Sequence, residues 1–163
     1  METVFISKAW QETAQMRADF LWQMHGGERS SSNFNNDREI MGQMGEIAFH
    51  IWSGLPMLEL NRDKVGDQGR DIFMGGYSID VKTAKHRGNG LLVKENNATA
   101  SIFVLGIWEV GEDCVEFDGW ATRAEVKAQP PQKWVYSVSH KVTEFRDMSS
   151  LAKIITKEKA KGY

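Results

Sequence analysis

The sequence predicts an α/β fold, with a mixed β-sheet packed between helices. Three observations carry this. Ile102–Val110 (Ile-Phe-Val-Leu-Gly-Ile-Trp-Glu-Val) is near-continuously apolar, as a central strand buried on both faces must be. Residues 8–25 and 38–53 carry apolar side chains at helical spacing. Between these helices and the apolar run, Gly75-Gly76 separates two short strand-like stretches. Both residues of such a pair take φ > 0 at little cost, which a two-residue hairpin loop requires.

The elements follow in order. Val4-Phe5-Ile6 is a short apolar start, and Ser7 is placed to cap a helix from about Lys8 to His25. Trp10, Ala14, Leu21 and Met24 line one side of it, and Gly26-Gly27 ends it. Glu28–Asn36 is a polar loop, either a plain connector or, with Arg29 and Arg38 nearby, a DNA contact. Asp37 is a good N-cap for a helix over 38–53 with Ile40, Met44, Ile47 and Ile51 as its stripe. Gly54 and Pro56 stop that helix. Met57–Leu60 is a short strand or the approach to one, and Asn61–Gly69 is a loop with Asp63 and Asp67 as turn residues.

Next comes the hairpin, Asp71–Lys82. With Gly75-Gly76 as its loop, Met74 faces Tyr77, Phe73 faces Ser78, Ile72 faces Ile79, and Asp71 faces Asp80. Leu91–Ala100 reads as an irregular connection with a short helix. Beyond the central strand, Gly111-Glu112-Asp113 turns the chain into a strand, Cys114–Ala121. Thr122-Arg123-Ala124-Glu125 is a capping box that opens a helix to about Gln129, and Pro130-Pro131 breaks it. Trp134–Val138 alternates as a strand. Asp147 or Ser149 caps a last helix through Leu151, Ile154 and Ile155, and the basic tail Lys157–Tyr163 frays.

Composition bounds the function. With 163 residues and 41% hydrophobic content, the chain suits one domain, 1–163, with a single core. A net charge of −2 weighs against a passive nucleic-acid coat protein, though not against an enzyme with a local basic groove. Cys114, the one cysteine, has no partner for an internal disulfide or a zinc cluster, and His25, His50, His86 and His140 lack metalloprotease spacing. No basic leader precedes an apolar stretch, and no apolar run approaches the roughly 20 residues that span a bilayer. The expectation is a soluble cytoplasmic protein (in the host cytoplasm if phage-encoded) with no membrane partner.

The chemistry concentrates on the hairpin. Cross-strand Cβ atoms on one face lie about 4.5–5.5 Å apart, so Asp71 and Asp80 should repel. A divalent cation offsets that repulsion, and Mg²⁺ is held by one or two carboxylates together with waters and phosphate oxygens. Lys82 lies two residues past Asp80 and shares its face, while Ile79 and Val81 point into a core. Two acids and a lysine on one face suit phosphodiester cleavage. A metal there polarises the phosphate and activates water, and the lysine steers the water or stabilises developing charge. The bland alternative is a surface hairpin with solvated charges.

These residues resemble the signature of the PD-(D/E)xK nuclease superfamily, an acid ending one strand and acid-x-lysine on the next. Asp71 stands in the first position and Asp80-Val81-Lys82 in the second, although Arg70 rather than proline precedes Asp71. Glu46, in Gly45-Glu46-Ile47-Ala48, looks like the glutamate that the family's first helix often carries. The resemblance covers roughly residues 37–128. It implies a restriction-endonuclease-like αβββαβ core, a mixed central sheet flanked by helices. Glu46, Asp71, Asp80 and Lys82 would be catalytic. Mg²⁺, with Mn²⁺ as a substitute, would be held by Asp71, Asp80 and the backbone carbonyl of Val81, with Glu46 at a second metal or orienting water.

The implied activity is a metal-dependent endodeoxyribonuclease leaving 5′-phosphate and 3′-hydroxyl ends, in the style of phage or mobile-element nucleases. One site per chain implies a homodimer, or two encounters, for cutting both strands. A junction-resolving enzyme and an end-threading exonuclease stay open within this class. From another class, a non-catalytic nucleic-acid-binding module would show a lost acid or lysine, and none is lost here.

Three further expectations concern the surroundings. Glu46 lies about 160° from the centre of its helix's apolar stripe at 100° per residue, so it reaches a cleft only if that helix is packed on more than one side. Gln43 and His50, one turn either side, would flank the cleft as candidate substrate contacts. Lys85, His86 and Arg87 follow Lys82 in the densest positive patch of the chain, either a solvated loop or a grip on a nucleic-acid backbone.

Overall fold

The apolar run becomes β5 (Ile102–Ile107), whose first five residues are all buried. It is the middle strand of a five-stranded sheet in the computed structural model, which describes residues 1–24, 37–57, 60, 72–135 and 137–162. The sheet's other strands are β1 (Glu2–Phe5), β2 (Ile72–Met74), β3 (Tyr77–Ala84) and β6 (Cys114–Thr122), in the order β1-β6-β5-β3-β2. β3 and β5 run parallel and every other neighbouring pair is antiparallel, so the sheet is mixed.

The hairpin forms in the expected register, with Ile72 opposite Ile79, Phe73 opposite Ser78 and Met74 opposite Tyr77. Asp71, which would form the fourth pair, lies outside the described residues. So do Gly26-Gly27, the loop 28–36 and the loop 61–69.

Strand alternation gives the sheet two apolar faces. On one, Ile79, Ile102, Val104, Val115 and Phe117 pack with helices α1 (Lys8–Met24), α2 (Asp37–Ser53) and α4 (Met148–Lys159), through Ala14, Ile47, Phe49 and Leu151 among others. On the other, Phe103, Leu105 and Ala121 pack with Val126 of α3 (Arg123–Ala128) and with a second sheet. That sheet is antiparallel and three-stranded, in the order β4 (Leu91–Lys94), β8 (Val138–Val142), β7 (Gln132–Lys133). The α/β class is therefore met. Between α2 and α3 the described residues form five strands, four of them in the main sheet, where an αβββαβ core has three.

Local signals are realised where they were strongest. Ser7 Oγ accepts from the Trp10 N–H at 3.2 Å and starts α1. The capping box closes, the Glu125 N–H donating to Thr122 Oγ1 at 3.2 Å and the Thr122 N–H to Glu125 Oε2 at 2.8 Å. Asp147 caps α4 by accepting from the Ser149 N–H.

Other expectations are corrected. The start of the chain is a strand, β1, paired with β6. The stretch after Gly90 opens with a strand, β4, because Leu91 and Val93 are buried against the second sheet. Of Trp134–Val138, Val138 alone lies in a strand among the described residues. Trp134 and Ser137 close a turn by mutual backbone hydrogen bonds, and the pairing starts at Val138. The tail does not fray before 162, since Lys159 Nζ donates to the Ser53 carbonyl and Lys161 Nζ pairs with Glu158 at 2.8 Å. Ile51 of the expected stripe is exposed, while Gln43, Gly45 and Ala48 are buried. α2 is embraced by β3 on one side and α1 on another, which widens its buried surface.

Candidate functional site

The site begins with how closely α2 approaches β3. A Cβ added to Gly45 would lie 1.9 Å from Thr83 Oγ1 and 3.5 Å from Val81 Cγ1, so only glycine permits this contact. Ile79, Val81 and Thr83 thus form the α2-facing side of β3. Asp80 and Lys82 alternate onto the other face. There, Lys82 Nζ lies 2.9 Å from Asp80 Oδ2. Asp80 is 16% exposed and Lys82 37%, so the carboxylate is sheltered while the ammonium reaches solvent. In register, Asp80 lies beside Phe103 and Lys82 beside Leu105, both fully buried. The pair rests on an apolar floor, where charge–charge interactions are stronger than in water.

Asp80 offers one carboxylate on this face, the kind of oxygen ligand that Mg²⁺ would take together with waters and phosphate oxygens.

Glu46 belongs to a second polar group. Its Oε2 lies 3.7 Å from an Arg17 guanidinium nitrogen of α1. Arg17 Nε donates to Gln43 Oε1 at 2.6 Å, and Gln43 is only 2% exposed. Burial pushes the Arg17 guanidinium down from its ordinary value, while the charge of Glu46 and the hydrogen bond that Arg17 donates to it pull it back up. Packing on two sides of α2 accounts for the half-buried position of Glu46. The expected site residues thus fall into two described groups, Asp80 with Lys82 and Glu46 with Gln43 through Arg17.

The basic patch divides as well. Lys85 and His86 are exposed just past β3. Arg87 opens a 3-10 turn, Arg87–Asn89, and is held by Glu116 and, at 3.5 Å, by Asp118 of β6. Its expected phosphate contact must therefore compete with two carboxylates. His50 Nδ1 lies 2.6 Å from the Leu55 carbonyl oxygen, and its ring stands edge-on to Trp10, which gives it a structural place at the end of α2.

Sequence reasoning passed over Arg17, although a signal was present. Arg17 sits among Ala14, Ala18 and Leu21 on the buried side of α1, and a charge there calls for a partner. It also passed over Phe73, which is exposed on β2. At the turn after β5, Glu112, Asp113 and Cys114 bring their ligand atoms within 4.8 Å of one another, with both acids exposed. Exposed acidic turns are common without a metal. Burial raises the Cys114 thiol pKa, and Asp113, Glu112 and Glu116 raise it further.

No protein-family model, curated protein or solved structure matches this chain. Among the described residues, no helix is long and apolar enough to cross a membrane.

Proposed function

We propose that the chain is a metal-dependent endonuclease that hydrolyses DNA phosphodiester bonds at Asp80 and Lys82. The observation that carries this is their 2.9 Å pairing on one face of β3, above a buried apolar floor. Helix α2 followed by a hairpin with acid-x-lysine on its second strand supports the restriction-endonuclease-like reading.

In this reading Asp80, the Val81 carbonyl and Asp71 would hold Mg²⁺, which would supply Lewis acidity to the scissile phosphate. Lys82, beside Asp80, orients the attacking water and offsets charge growing on the phosphate oxygens. Water oxygen bonds to phosphorus, the bond to the 3′ oxygen breaks, and a proton passes to that oxygen. The products are 5′-phosphate and 3′-hydroxyl ends. Glu46, on α2 across β3 from this pair and held by Arg17, is left outside the reaction. Lys85 and His86 contact the phosphate backbone, and two copies of the chain cut the two strands.

The test is cleavage of supercoiled plasmid, linear duplex, single strand and a four-way junction, each in Mg²⁺ and in EDTA. Asp80→Ala and Lys82→Ala are run alongside. The expected result is Mg²⁺-dependent cutting by the parent and its loss in both variants. Selective cutting of the junction would make the chain a resolvase. Binding without cutting would make it a non-catalytic module and overturn the proposal.

A further inference from the structure

We infer that Phe73 is a stacking platform for an unpaired nucleobase beside the Asp80–Lys82 pair. This rests on the nuclease reading and adds a substrate class to it, single-stranded or locally unpaired nucleic acid. In β2, Ile72 and Met74 are buried, but Phe73 between them is 62% exposed. Its register partner is Ser78, which shares the face of Asp80 and Lys82. Phe73 is therefore the diagonal neighbour of Asp80, a separation of about 7–8 Å that aromatic side chains span. That is the reach of one nucleotide from its phosphate to its base.

The opposing residue leaves the ring uncovered. Ser78 is small, and its polar groups are turned to Ser101, the residue just before β5. The Ser101 N–H donates to Ser78 Oγ at 3.0 Å, and the Ser78 N–H donates to Ser101 Oγ at 3.2 Å. These two bonds fix the strand beneath the ring. Phenylalanine has no hydrogen-bonding group, so it reads no base identity and stacks with any exposed base face. Within a duplex those faces are already stacked on their neighbours. Only a base in a single strand, a branch or an extruded position can use the ring.

The experiment measures binding of a labelled oligothymidylate, and of a duplex of equal length, in EDTA so that no cleavage intervenes. The proteins are the parent, Phe73→Ala and Phe73→Tyr. Because the side chain is exposed, neither variant removes a core contact. Phe73→Ala is expected to weaken single-strand binding roughly 5- to 150-fold, the loss that follows removal of one stacked base. Phe73→Tyr should restore it, and duplex binding should not change. Ultraviolet crosslinking of the thymidylate should map to the peptide carrying Phe73.

Equal single-strand affinity of Phe73→Ala and the parent overturns the inference, as does absence of single-strand binding in the parent. Conversion of a dimer to a monomer by Phe73→Ala, with oligonucleotide affinity unchanged, assigns the ring to a second copy and also overturns it. The two readings separate cleanly. Phe73-dependent binding without Mg²⁺-dependent cutting keeps the platform and ends the nuclease assignment. Cutting and binding both indifferent to Phe73→Ala do the reverse.

Discussion

Gly45 of α2 and Thr83 of β3 meet so closely that a Cβ on Gly45 would fall 1.9 Å from Thr83 Oγ1. That hydroxyl is buried and finds no hydrogen-bond partner among the described residues. Gly45→Ala must push the helix off the strand, because the β-branched Thr83 has few rotamers in which to yield. The expected destabilisation is about 1–3 kcal/mol. Thr83→Val removes the orphaned hydroxyl at nearly constant shape and is expected to be neutral or stabilising by about 1 kcal/mol. Urea unfolding measures both, and a neutral Gly45→Ala would show that the contact relaxes freely.

Arg17 and Glu46 are mostly buried partners on different helices. A double-mutant cycle with Arg17→Met and Glu46→Gln should give a coupling energy of about 0.5–3 kcal/mol. Additive single effects would mean that the pair does not hold Glu46 in place.

Glu125 links the capping box of α3 to Arg146. Burial raises its pKa, but the backbone hydrogen bond from Thr122 and the pairing with Arg146 outweigh this and hold it below the ordinary carboxylate range. A group with a depressed folded pKa stabilises the fold fully above its unfolded value, about 4.3 for glutamate, and that contribution is lost as pH falls through the folded value. Glu125→Gln should therefore cost stability at pH 7 and flatten the acid limb of the stability profile. Because the side chain is more than one-third exposed, the effect is small. Parallel profiles for parent and variant across that limb would contradict the assignment.

Cys114 lies where burial raises the thiol pKa and Asp113, Glu112 and Glu116 raise it further. Alkylation by iodoacetamide should rise with pH to a midpoint above the value of about 8.5 for a free cysteine. Asp113→Asn combined with Glu112→Gln should lower that midpoint. A thiol that reacts fast at neutral pH would contradict this environment.

These particulars show which parts of the fold can be read from the chain. β5, the Gly75-Gly76 hairpin with its register, and the Thr122–Glu125 box rest on local signals, and all three formed. β1 and β4 are four residues each, too short for a period to show, and their partners are far away in sequence, in β6 and β8. Trp134–Val138 alternates, yet the turn between Trp134 and Ser137 moved the strand onto Val138–Val142. Of the site, the Asp80–Lys82 pairing followed from two-residue alternation alone. The partnership of Glu46 with Arg17 did not, because it depends on how two helices rotate against each other. Asp71, the other acid of the expected pair, lies outside the described residues.

The central claim is that the Asp80–Lys82 pair supports metal-dependent strand scission. The most direct measurement is the single-turnover rate of phosphodiester cleavage in Mg²⁺ for the parent and for Asp80→Asn, with the fold of each verified by its unfolding curve. The account predicts measurable cutting by the parent, none in EDTA, and a loss on the order of 100-fold or more in Asp80→Asn, as removal of several kcal/mol of metal-assisted charge stabilisation requires. Cutting by a folded Asp80→Asn at the parental rate would contradict it.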